Sequence, residues 1–587
     1  MEWHDWTDVA FERARERETP VLLYLRAGWC QWCRELEELV LADERVVRAL
    51  DIGFVCIRVD KDRRPDLDER YRRGGWPTLA WLDARGELLA ADNYLDADAL
   101  LERMERVRAH YPEGRAEIAA GATGPGMSPS PALVEPLVHA GARPRGRHPR
   151  ELSPEVVDDV ARTLIESADP VYGGWGTRQK FPHPEALHFA IVRWSQTGDP
   201  QTLSVVLRTL RCMQRGEIYD EVEGGFYRYA TQPDWSVPHH EKMLDSNAQR
   251  LIAYVEAFQA VGEASFEWTA RGILDWMHET LLDPQTRAFR GSQDADPEYA
   301  HLRTREARRA RGAPECDPTI FCNWNAMAAR SLLKSAVVLG EDRYRLQALA
   351  TLDFLVENLW DERRGMYHYW DGTYNLPGML TDQAYMLRAL IEAMHYSGEN
   401  RYLVPALQLA RFAVEHLQGT DGFFYDAHED PNARRPLGNR SILENAVMSE
   451  ALLRLAQMAR EPELTVSARA CLDAFLPEYK AYGHFIAAYG RAVDLLFNAP
   501  VHVTIVGSRA EDKTRALREA ALRPYVANRI VQTIDPREDA TLFELAGLPD
   551  PGERIARAYI HQGRASYAET SQPARLPALM ARAERSD

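Results

Sequence analysis

The sequence predicts a multidomain protein with an N-terminal α/β domain, a large all-α domain and a small C-terminal α/β region. At 587 residues the chain is long enough for about two to four domains. Strand-like and helix-like stretches alternate at the start, whereas long helical stretches follow one another through the middle of the chain. Apolar residues make up 45% and charged residues 27%, a balance typical of globular proteins.

The predicted first domain covers residues 1–110. Residues 4–17 predict a helix, and residues 21–25 form a short apolar run with the length of a buried strand. Residues 54–60 and 78–82 predict further strands, with a helix-like stretch between them. Alternating strands and helices over this length indicate one α/β domain.

A linker is predicted over residues 111–152, since residues 111–150 contain 7 Pro and 6 Gly with little apolar periodicity. Residues 153–498 then repeat helical stretches separated by Gly-and-aromatic segments. Because a helical hairpin leaves one apolar face unburied, several can close into a ring around a cavity, and we predict an (α/α)6 toroid. Residues 499–587 predict a small α/β region. The aromatic residues of the repeated segments are Trp175, Phe226, Phe289, Tyr367 and Phe424.

Charge and composition exclude several classes of function. The formal net charge of −17 is spread without long single-sign runs, which disfavours nucleic acid as a partner. The first residues carry acids where a signal peptide needs positive charge, and no apolar run approaches the roughly 18 residues of a membrane helix. We therefore expect a cytoplasmic protein without a membrane partner. Seven cysteines, an odd and sparse set, do not form a disulfide framework.

The segment Cys30-Gln31-Trp32-Cys33 follows a predicted strand and opens a predicted helix. There, free backbone N–H groups and the helix dipole lower the pKa of a thiol, so Cys30 is predicted to attack a disulfide and Cys33 to resolve the mixed disulfide. A zinc ligand pair or two inert thiols are the alternatives. No second such pair completes a four-cysteine zinc site.

The segment Gly74-Gly75-Trp76-Pro77-Thr78, directly before a predicted strand, resembles the cis-proline loop of the thioredoxin fold. The first domain is thus similar to thioredoxin-like domains. The resemblance implies that the Trp76–Pro77 bond is cis and lies against the cysteine pair, where it excludes a metal and guides a thiol or protein client to Cys30. Tyr24 stands where many thioredoxins carry a buried carboxylate, so the usual proton acceptor is missing.

Motifs along nearly the whole chain resemble the spermatogenesis-associated, thioredoxin-domain family. The resemblance implies a thioredoxin-like domain joined to a six-hairpin, glycosidase-like toroid similar to N-acylglucosamine epimerases. The chain departs from the family pattern at His240, at Asp245-Ser246, at Glu444 and in lacking a C-terminal cysteine pair, which indicates a divergent branch. The matching motifs are Trp32-Cys33, residues 59–68, Gly74-Gly75-Trp76-Pro77, Lys180-Phe181-Pro182, residues 224–229, residues 235–244 and Asp294-Ala295-Asp296.

The densest polar cluster of the predicted toroid is His239, His240 and Glu241. A histidine beside a carboxylate can act as an acid/base pair in sugar chemistry, so we predict these residues to be catalytic. The alternative is a polar network that caps the following helix. The order of residues is not a zinc-binding His-Glu-x-x-His, and we predict no metal and no cofactor.

Further polar residues lie at or near the predicted starts of inner helices or in acidic turns. Such positions suit substrate hydrogen bonds and helix capping almost equally. Asp294 and Asp296 can provide a second carboxylate across the cavity, as inverting glycosidases need, and helix caps are the alternative. The predicted substrate-binding residues are Lys180, Lys242, Asn247, Asp294, Asp296, Asn325, Asp382 and Asn445.

Three functions follow from these predictions. The first is an enzyme that acts on a carbohydrate-like small molecule in the toroid, by epimerisation or hydrolysis. The second is a thiol-disulfide protein in which Cys30 and Cys33 react and the toroid recruits the client. The third is a binding protein without catalysis, because a fold does not guarantee an activity.

Overall fold

The structure is a computed structural model that describes residues 1–111, 151–427, 439–549, 556–563 and 565–584. The predicted linker therefore lies almost entirely outside the described residues. The chain divides into two compact units. Among the described residues, the first unit contains residues 1–111, 293–297 and 427, and the second contains the helical ring together with the C-terminal region.

The first unit contains a mixed sheet of five strands within residues 1–111, in the order β1-β3-β2-β4-β5. The central strand β2 pairs parallel with β3 and antiparallel with β4. Its residues are buried except at the end, because helices cover both faces of the sheet. The strands are β1 (Trp3–His4), β2 (Val21–Arg26), β3 (Val55–Asp60), β4 (Thr78–Leu82) and β5 (Leu88–Asp92).

The helices of this unit follow the predicted alternation. A short π-helical segment, Leu36–Val40, continues α2 directly. The helix α5 is N-capped by Asp96, whose side chain accepts a hydrogen bond from the backbone N–H of Ala99 at 2.9 Å. The helices are α1 (Asp8–Glu16), α2 (Gln31–Glu35), α3 (Glu44–Gly53), α4 (Pro65–Tyr71) and α5 (Ala97–His110).

In the part of the second unit that is described, six inner helices form a closed ring. Each packs against the next in chain order, and the last, α19, packs against the first, α7. Each inner helix is buried along much of its length, since an outer helix covers its back. The inner helices are α7 (Pro184–Thr197), α9 (Leu244–Val261), α13 (Cys322–Leu339), α15 (Leu380–Ser397), α17 (Ile442–Ala459) and α19 (Ala487–Phe497).

The outer helices pair one to one with the inner helices, with α6 against α19 and every other outer helix directly after its inner partner. This arrangement is an (α/α)6 toroid and confirms the predicted fold. Two short helices, α11 (Pro297–Ala300) and α12 (Arg305–Arg311), precede α13. The outer helices are α6 (Glu155–Ser167), α8 (Pro200–Arg215), α10 (Ala264–Trp276), α14 (Asp342–Leu359), α16 (Leu403–His416) and α18 (Pro462–Phe475).

Two of the repeated Gly-and-aromatic segments are tight turns that lie against an outer helix, whereas residues 365–370 form a strand. Gly224 has a φ of 79°, and a Cβ atom there would lie 2.1 Å from the carbonyl oxygen of Gly272 on α10. Gly422 has a φ of 93°, and its Cβ would lie 2.7 Å from the carbonyl oxygen of Ala470 on α18. Only glycine allows both this backbone conformation and this close approach.

Short strands accompany the turns. A hairpin pairs β11 with β12, and β10 and β9 pair with β11. Another small sheet orders β6-β7-β8. The strands are β6 (Lys242–Met243), β7 (Ser292–Gln293), β8 (Cys316–Asp317), β9 (Ile320–Phe321), β10 (Trp360–Asp361), β11 (Gly365–Trp370) and β12 (Tyr374–Pro377).

The C-terminal region groups with the toroid in the second unit. The predicted strands are β13 (Val501–Val506) and β14 (Arg529–Ile534), which pair in parallel across α20 (Asp512–Leu522). Two strands that the sequence did not predict complete the sheet in the order β14-β13-β15-β16. They are β15 (Arg557–Gln562) and β16 (Ala565–Thr570), and two helices, α21 (Ala540–Ala546) and α22 (Leu576–Glu584), accompany them.

Candidate functional site

The cysteine pair lies at the start of α2. Cys30 occupies the N-cap position, and its sulfur accepts a hydrogen bond from the backbone N–H of Cys33 at 3.3 Å. Cys30 is 6% exposed, whereas Cys33 is completely buried. The Trp76–Pro77 bond is cis, and the Cys30 thiol lies 3.8 Å from the Trp76 carbonyl oxygen. A thiolate at Cys30 would be stabilised by the helix start, as nucleophilic attack requires.

Two tryptophans beside the cysteine pair are held by aspartates. The indole N–H of Trp29 donates to Asp62 Oδ2 at 2.7 Å, and that of Trp76 donates to Asp68 Oδ1 at 2.7 Å. The two rings meet edge to face with centroids 5.8 Å apart. The motif of residues 59–68, to which sequence analysis gave no role, therefore fixes the surroundings of the cysteines.

The Tyr24 side chain contacts Cys33. Its hydroxyl is 3.1 Å from Glu37 Oε1 and 3.3 Å from the Cys33 carbonyl oxygen, so it donates to one of them at a time. Glu37 Oε1 also lies 3.2 Å from Arg26 Nη1. Burial raises the pKa of the Cys33 thiol, and the neighbouring Cys30 raises it further. The Tyr24 hydroxyl thus lies between the backbone of Cys33 and a carboxylate on the following helical segment.

Several predicted substrate ligands of the toroid bind the turns instead. Asn247, Asn325 and Asn445 are completely buried. In each, the amide oxygen accepts a hydrogen bond at 2.7 Å from the backbone N–H of the turn aromatic, and the amide nitrogen donates to that residue's carbonyl oxygen. The nitrogen also donates to the carbonyl oxygen four residues earlier. Both amide hydrogens are therefore occupied, and these side chains clamp each turn to the next inner helix.

Lys180 and Lys242 make equivalent contacts in two of the glycine turns. Lys180 Nζ donates to Asp169 Oδ2 at 2.7 Å and to the Gly173 carbonyl oxygen at 2.9 Å. Lys242 Nζ donates to Asp220 Oδ2 at 2.5 Å and to the Gly224 carbonyl oxygen at 2.8 Å. Both lysines are buried, and their ammonium groups stabilise the glycine turns. These contacts make the two lysines part of the repeat, and their role in substrate binding stays a prediction.

His239, His240 and Glu241 lie in the loop before α9. The His239 ring stacks on Tyr229 with centroids 4.4 Å apart. Burial lowers the pKa of both histidines to about 4, so both rings are neutral at neutral pH. Glu241 is buried, and its Oε1 lies 3.6 Å from Arg228 Nη1. Their catalytic role stays a prediction.

Asp294 and Asp296 fall in the short segment that groups with the first unit. There, Arg34 Nη1 donates to Asp294 Oδ2 at 2.6 Å, and Arg34 Nη2 donates to the Ala295 carbonyl oxygen at 2.9 Å. Asp296 is partly exposed. The role of these two aspartates in substrate binding stays a prediction.

Asp382, at the start of α15, binds a histidine that sequence analysis did not select. His368 Nδ1 lies 2.9 Å from Asp382 Oδ2 and 3.1 Å from Oδ1, and both residues are buried. The backbone N–H of Asn323, at the start of α13, donates to Asp382 Oδ1 at 3.2 Å. A carboxylate against Nδ1 fixes the orientation of the ring.

Glu444, at the start of α17, completes what we name the acid–base cluster: Asn323, His368, Thr381, Asp382 and Glu444. The Asn323 amide donates to Thr381 Oγ1 at 3.0 Å, and the Thr381 side chain hydrogen-bonds to Glu444. Burial and then the charge of Asp382 raise the pKa of Glu444 to about 7, although Thr381 and His368 act in the opposite direction. A carboxyl with this pKa populates both protonation states near neutral pH.

More carboxylates surround the acid–base cluster. Burial raises the pKa of Tyr385, one turn after Thr381, and the charges of Glu185, Glu444 and Asp245 raise it further. Glu185 belongs to α7, Asp245 to α9 and Glu444 to α17, so residues of three other inner helices contribute charge at this hydroxyl. Glu185, Asp245 and Glu444 are each partly exposed, in contrast to the buried asparagine clamps. The starts of the inner helices thus bring several carboxyl groups close to the acid–base cluster.

The sequence carried weak signals for this cluster. Asp382 is a predicted substrate-binding residue, Glu444 is a departure from the family pattern, and His368 lies inside one of the Gly-and-aromatic segments. Within the described residues, no group of His, Cys, Asp or Glu side chains is arranged to hold a metal ion. No helix in that part of the chain is long and apolar enough to cross a membrane.

Comparisons with known proteins find similarity for the N-terminal domain and for nearly the full chain. Residues 1–122 match the family model Thioredox_DsbH, described as a protein of unknown function, DUF255. Spermatogenesis-associated protein 20 of Homo sapiens is 24% identical over 716 aligned residues, which cover 99% of this chain and 90% of the human protein. Disulfide bond reductase DsbH of Chlamydia pneumoniae is 24% identical over 102 residues, 15% of this chain and 61% of that protein.

Among solved structures, a sugar epimerase from a ruminal bacterium aligns with a TM-score of 0.47 and 13% identity. The alignment covers 58% of this chain and 98% of the epimerase. The family model and the human relative confirm the similarity to the spermatogenesis-associated, thioredoxin-domain family that the sequence motifs indicated.

Proposed function

We propose that the toroid is an enzyme that transfers protons on a carbohydrate-like small molecule, in a reaction of the epimerase or hydrolase type. One observation carries the proposal: Glu444, a carboxyl with a pKa of about 7, shares the acid–base cluster with a buried His–Asp pair. General acid–base catalysis is most efficient when the pKa of the catalytic group lies near the working pH.

Each residue of the acid–base cluster has a distinct part in this proposal. Glu444 is the catalytic residue: as carboxylate it removes a proton from carbon beside a carbonyl group, and as acid it protonates a leaving oxygen. Asp382 is a positioning residue that holds His368 through Nδ1, so that the ring supplies the second proton. Thr381 positions Glu444 and is itself held by the Asn323 amide.

A carbohydrate-like substrate fits the donors and acceptors around the acid–base cluster. Glu185, Asp245 and Glu444 surround the Tyr385 hydroxyl and offer acceptors for several substrate hydroxyl groups. Trp324, one residue after Asn323, supplies an aromatic face of the kind that stacks on sugar rings. His239, His240 and Glu241 stay in the proposal as predicted acid–base residues from the neighbouring loop.

The test is a panel of free sugars and disaccharides incubated with the full chain in D2O. We expect either deuterium incorporation at carbon, which marks an epimerase or isomerase, or release of a new reducing end, which marks a hydrolase. Glu444→Gln keeps the size of the side chain and should lower the detected rate by about 100-fold or more. Glu357→Gln, on the exposed face of outer helix α14, is the matched control.

Two outcomes refute the catalytic proposal. One is that no sugar in the panel is bound or converted. The other is that Glu444→Gln and Glu357→Gln retain equal activity. Since His239→Ala is run in the same assay, loss of activity there with full activity in Glu444→Gln would move the catalytic centre to the loop before α9.

A second candidate function, thiol–disulfide exchange in the first unit, is favoured by the Cys30 N-cap geometry and by the DsbH family match. Cys30 thiolate would attack a client disulfide, form a mixed disulfide and release one client thiolate. Cys33 thiolate would then attack Cys30 sulfur and release the second thiolate. The protein loses two hydrogens and the client gains two.

Mass spectrometry across a series of redox buffers tests this second function. We expect the wild-type protein to lose two hydrogens reversibly at this pair. The Cys33→Ser variant should instead trap a mixed disulfide through Cys30. Absence of a reversible two-hydrogen change at this pair would end the hypothesis.

A further inference from the structure

A second polar chamber lies deeper in the ring than the acid–base cluster. Glu392 on α15 and Arg454 on α17 lie ten residues beyond Asp382 and Glu444 on the same helices, or about 15 Å along the helix axis. The segment 525–529, which leads into β14, closes the chamber from the C-terminal side. Nothing in the proposed function uses this chamber.

Positive charge exceeds negative charge in its wall. Among the described residues that line it, Arg330, Lys334, Arg454, Arg491 and Arg529 face two carboxylates, Glu256 and Glu392. Behind this wall, Glu450 and Asp494 pair with its arginines. One positive charge still remains unbalanced. The histidines of the wall add no charge at neutral pH, because burial lowers their pKa.

Arg529 is the cation without a carboxylate. No ion pair of Arg529 occurs in the described part of the chain: its Nη1 donates to the carbonyl oxygens of Ala521 and Pro524 at 2.7 Å each. Its Nε has no hydrogen-bond partner there. Nη2 of Arg491 also makes no hydrogen bond there, although it lies 3.7 Å from Glu450 Oε1 in an ion pair. Both arginines are more than nine-tenths buried. Unpaired guanidinium N–H groups in a buried site indicate a missing acceptor.

The helix ends do not explain these cations. The partial negative charge of a helix C-terminus acts within the last turn. Lys334 and Arg454 lie five residues before the ends of α13 and α17, and Arg529 lies on a strand. Their charges are therefore not balanced by the helix dipoles.

The wall also contains an acceptor that lacks a donor. Glu392 Oε2 has no hydrogen-bond partner in the described residues. Although burial raises the pKa of Glu392, Arg454 and Arg330 lower it to about 2, so the group is a carboxylate at neutral pH. A bound molecule that satisfies this wall must accept from arginines and donate to one carboxylate.

We propose that the chamber binds one inorganic hydrogenphosphate ion, whose oxygens accept from Arg491 and Arg529 and whose P–OH donates to Glu392. The chamber has a volume of about 30 Å³, room for roughly two or three water molecules or one small oxyanion. Sulfate has the same shape but lacks a donor at neutral pH. The bound ion would connect the inner helices to the segment 525–529.

The experiment measures binding of radiolabelled inorganic phosphate to the full chain by equilibrium dialysis in phosphate-free buffer. We expect saturation at one ion per chain and roughly tenfold or weaker affinity for sulfate, which leaves the Glu392 carboxylate without a donor. Arg529→Gln should weaken phosphate binding roughly tenfold or more. Arg48→Gln, whose side chain is 74% exposed on α3, should leave it unchanged.

If Arg529→Gln does not fold, a measurement on the wild-type protein still tests the phosphate proposal. A crystal soaked in arsenate, which carries the same hydroxyl donor, should show anomalous density between Arg491, Arg529 and Glu392. Absence of saturable phosphate binding, equal affinities for phosphate and sulfate, or arsenate bound elsewhere would each overturn the proposal.

Discussion

Replacing Glu444 by glutamine should stabilise the protein at alkaline pH and leave it nearly unchanged at acid pH. The carboxyl has a pKa of about 7 in the folded protein, compared with its ordinary value of 4.5. The folded state therefore holds the proton more tightly than the unfolded state does. Stability is lost as the pH rises from 4.5 to 7 and is constant above that range. Glutamine keeps the shape of the protonated group and removes this loss.

The size of the effect follows from the two pKa values. The stability that the wild-type protein loses between pH 5 and pH 8.5 is about 2.5 kcal/mol, from 1.36 kcal/mol for each pKa unit. For a domain of this size that free energy corresponds to a few degrees in Tm, on the order of 1 to 2 °C per kcal/mol. Glu444→Gln should gain this amount relative to wild type across the same pH interval.

The assay is thermal unfolding of wild type, Glu444→Gln and the exposed control Glu357→Gln at pH 5 and pH 8.5. For each variant, the Tm difference from wild type is determined at both pH values. The quantity compared is the change in that difference from pH 5 to pH 8.5. A positive change of a few degrees for Glu444→Gln, with none for Glu357→Gln, agrees with a carboxyl that titrates near pH 7. Equal changes in both variants, or a lower Tm of Glu444→Gln at pH 8.5, would refute the reasoning.

Three further predictions concern the turns and the cysteine pair. Asn445→Ala should lower the free energy of unfolding by about 1 to 3 kcal/mol, because the backbone groups of Phe424 lose their partners; an unchanged denaturation midpoint would contradict this. Lys242→Met should cost about 3 kcal/mol, since Asp220 keeps Arg308 but loses its ammonium partner, and equal stability with wild type would contradict the role of that pair. Tyr24→Phe should slow resolution of the mixed disulfide at Cys30, measured by release of a chromogenic thiol, because Cys33 loses the hydroxyl linked to Glu37; an unchanged rate would show that this hydroxyl does not assist Cys33.

The fold was predictable because its signals are local. A Gly-and-aromatic turn is a property of a few adjacent residues, and its repetition predicted the toroid. The glycine at 224 is required by a contact of its own backbone with α10. The thioredoxin-like unit was equally accessible, since the strand, cysteine pair and proline loop follow one another in a short stretch. The strands β15 and β16 were missed because their polar residues, such as Gln562, do not form an apolar run.

The candidate site was harder to predict because its parts are distant in sequence. Glu444 and Asp382 start different helices, and only the closed ring lets their charges interact. Sequence position also does not show which way a side chain points. Asn445 follows Glu444 directly, yet Asn445 clamps a turn while Glu444 stays partly exposed. The sequence therefore indicated the starts of the inner helices and Asp382, but not Glu444 or His368, which we propose to take part in proton transfer.

The most direct measurement is an infrared titration of the Glu444 carboxyl, taken as the difference between wild type and Glu444→Gln across pH 4 to 9. The account predicts that the band of one protonated carboxyl disappears with a midpoint near pH 7. A midpoint near 4.5, or no difference between the two proteins, would contradict it.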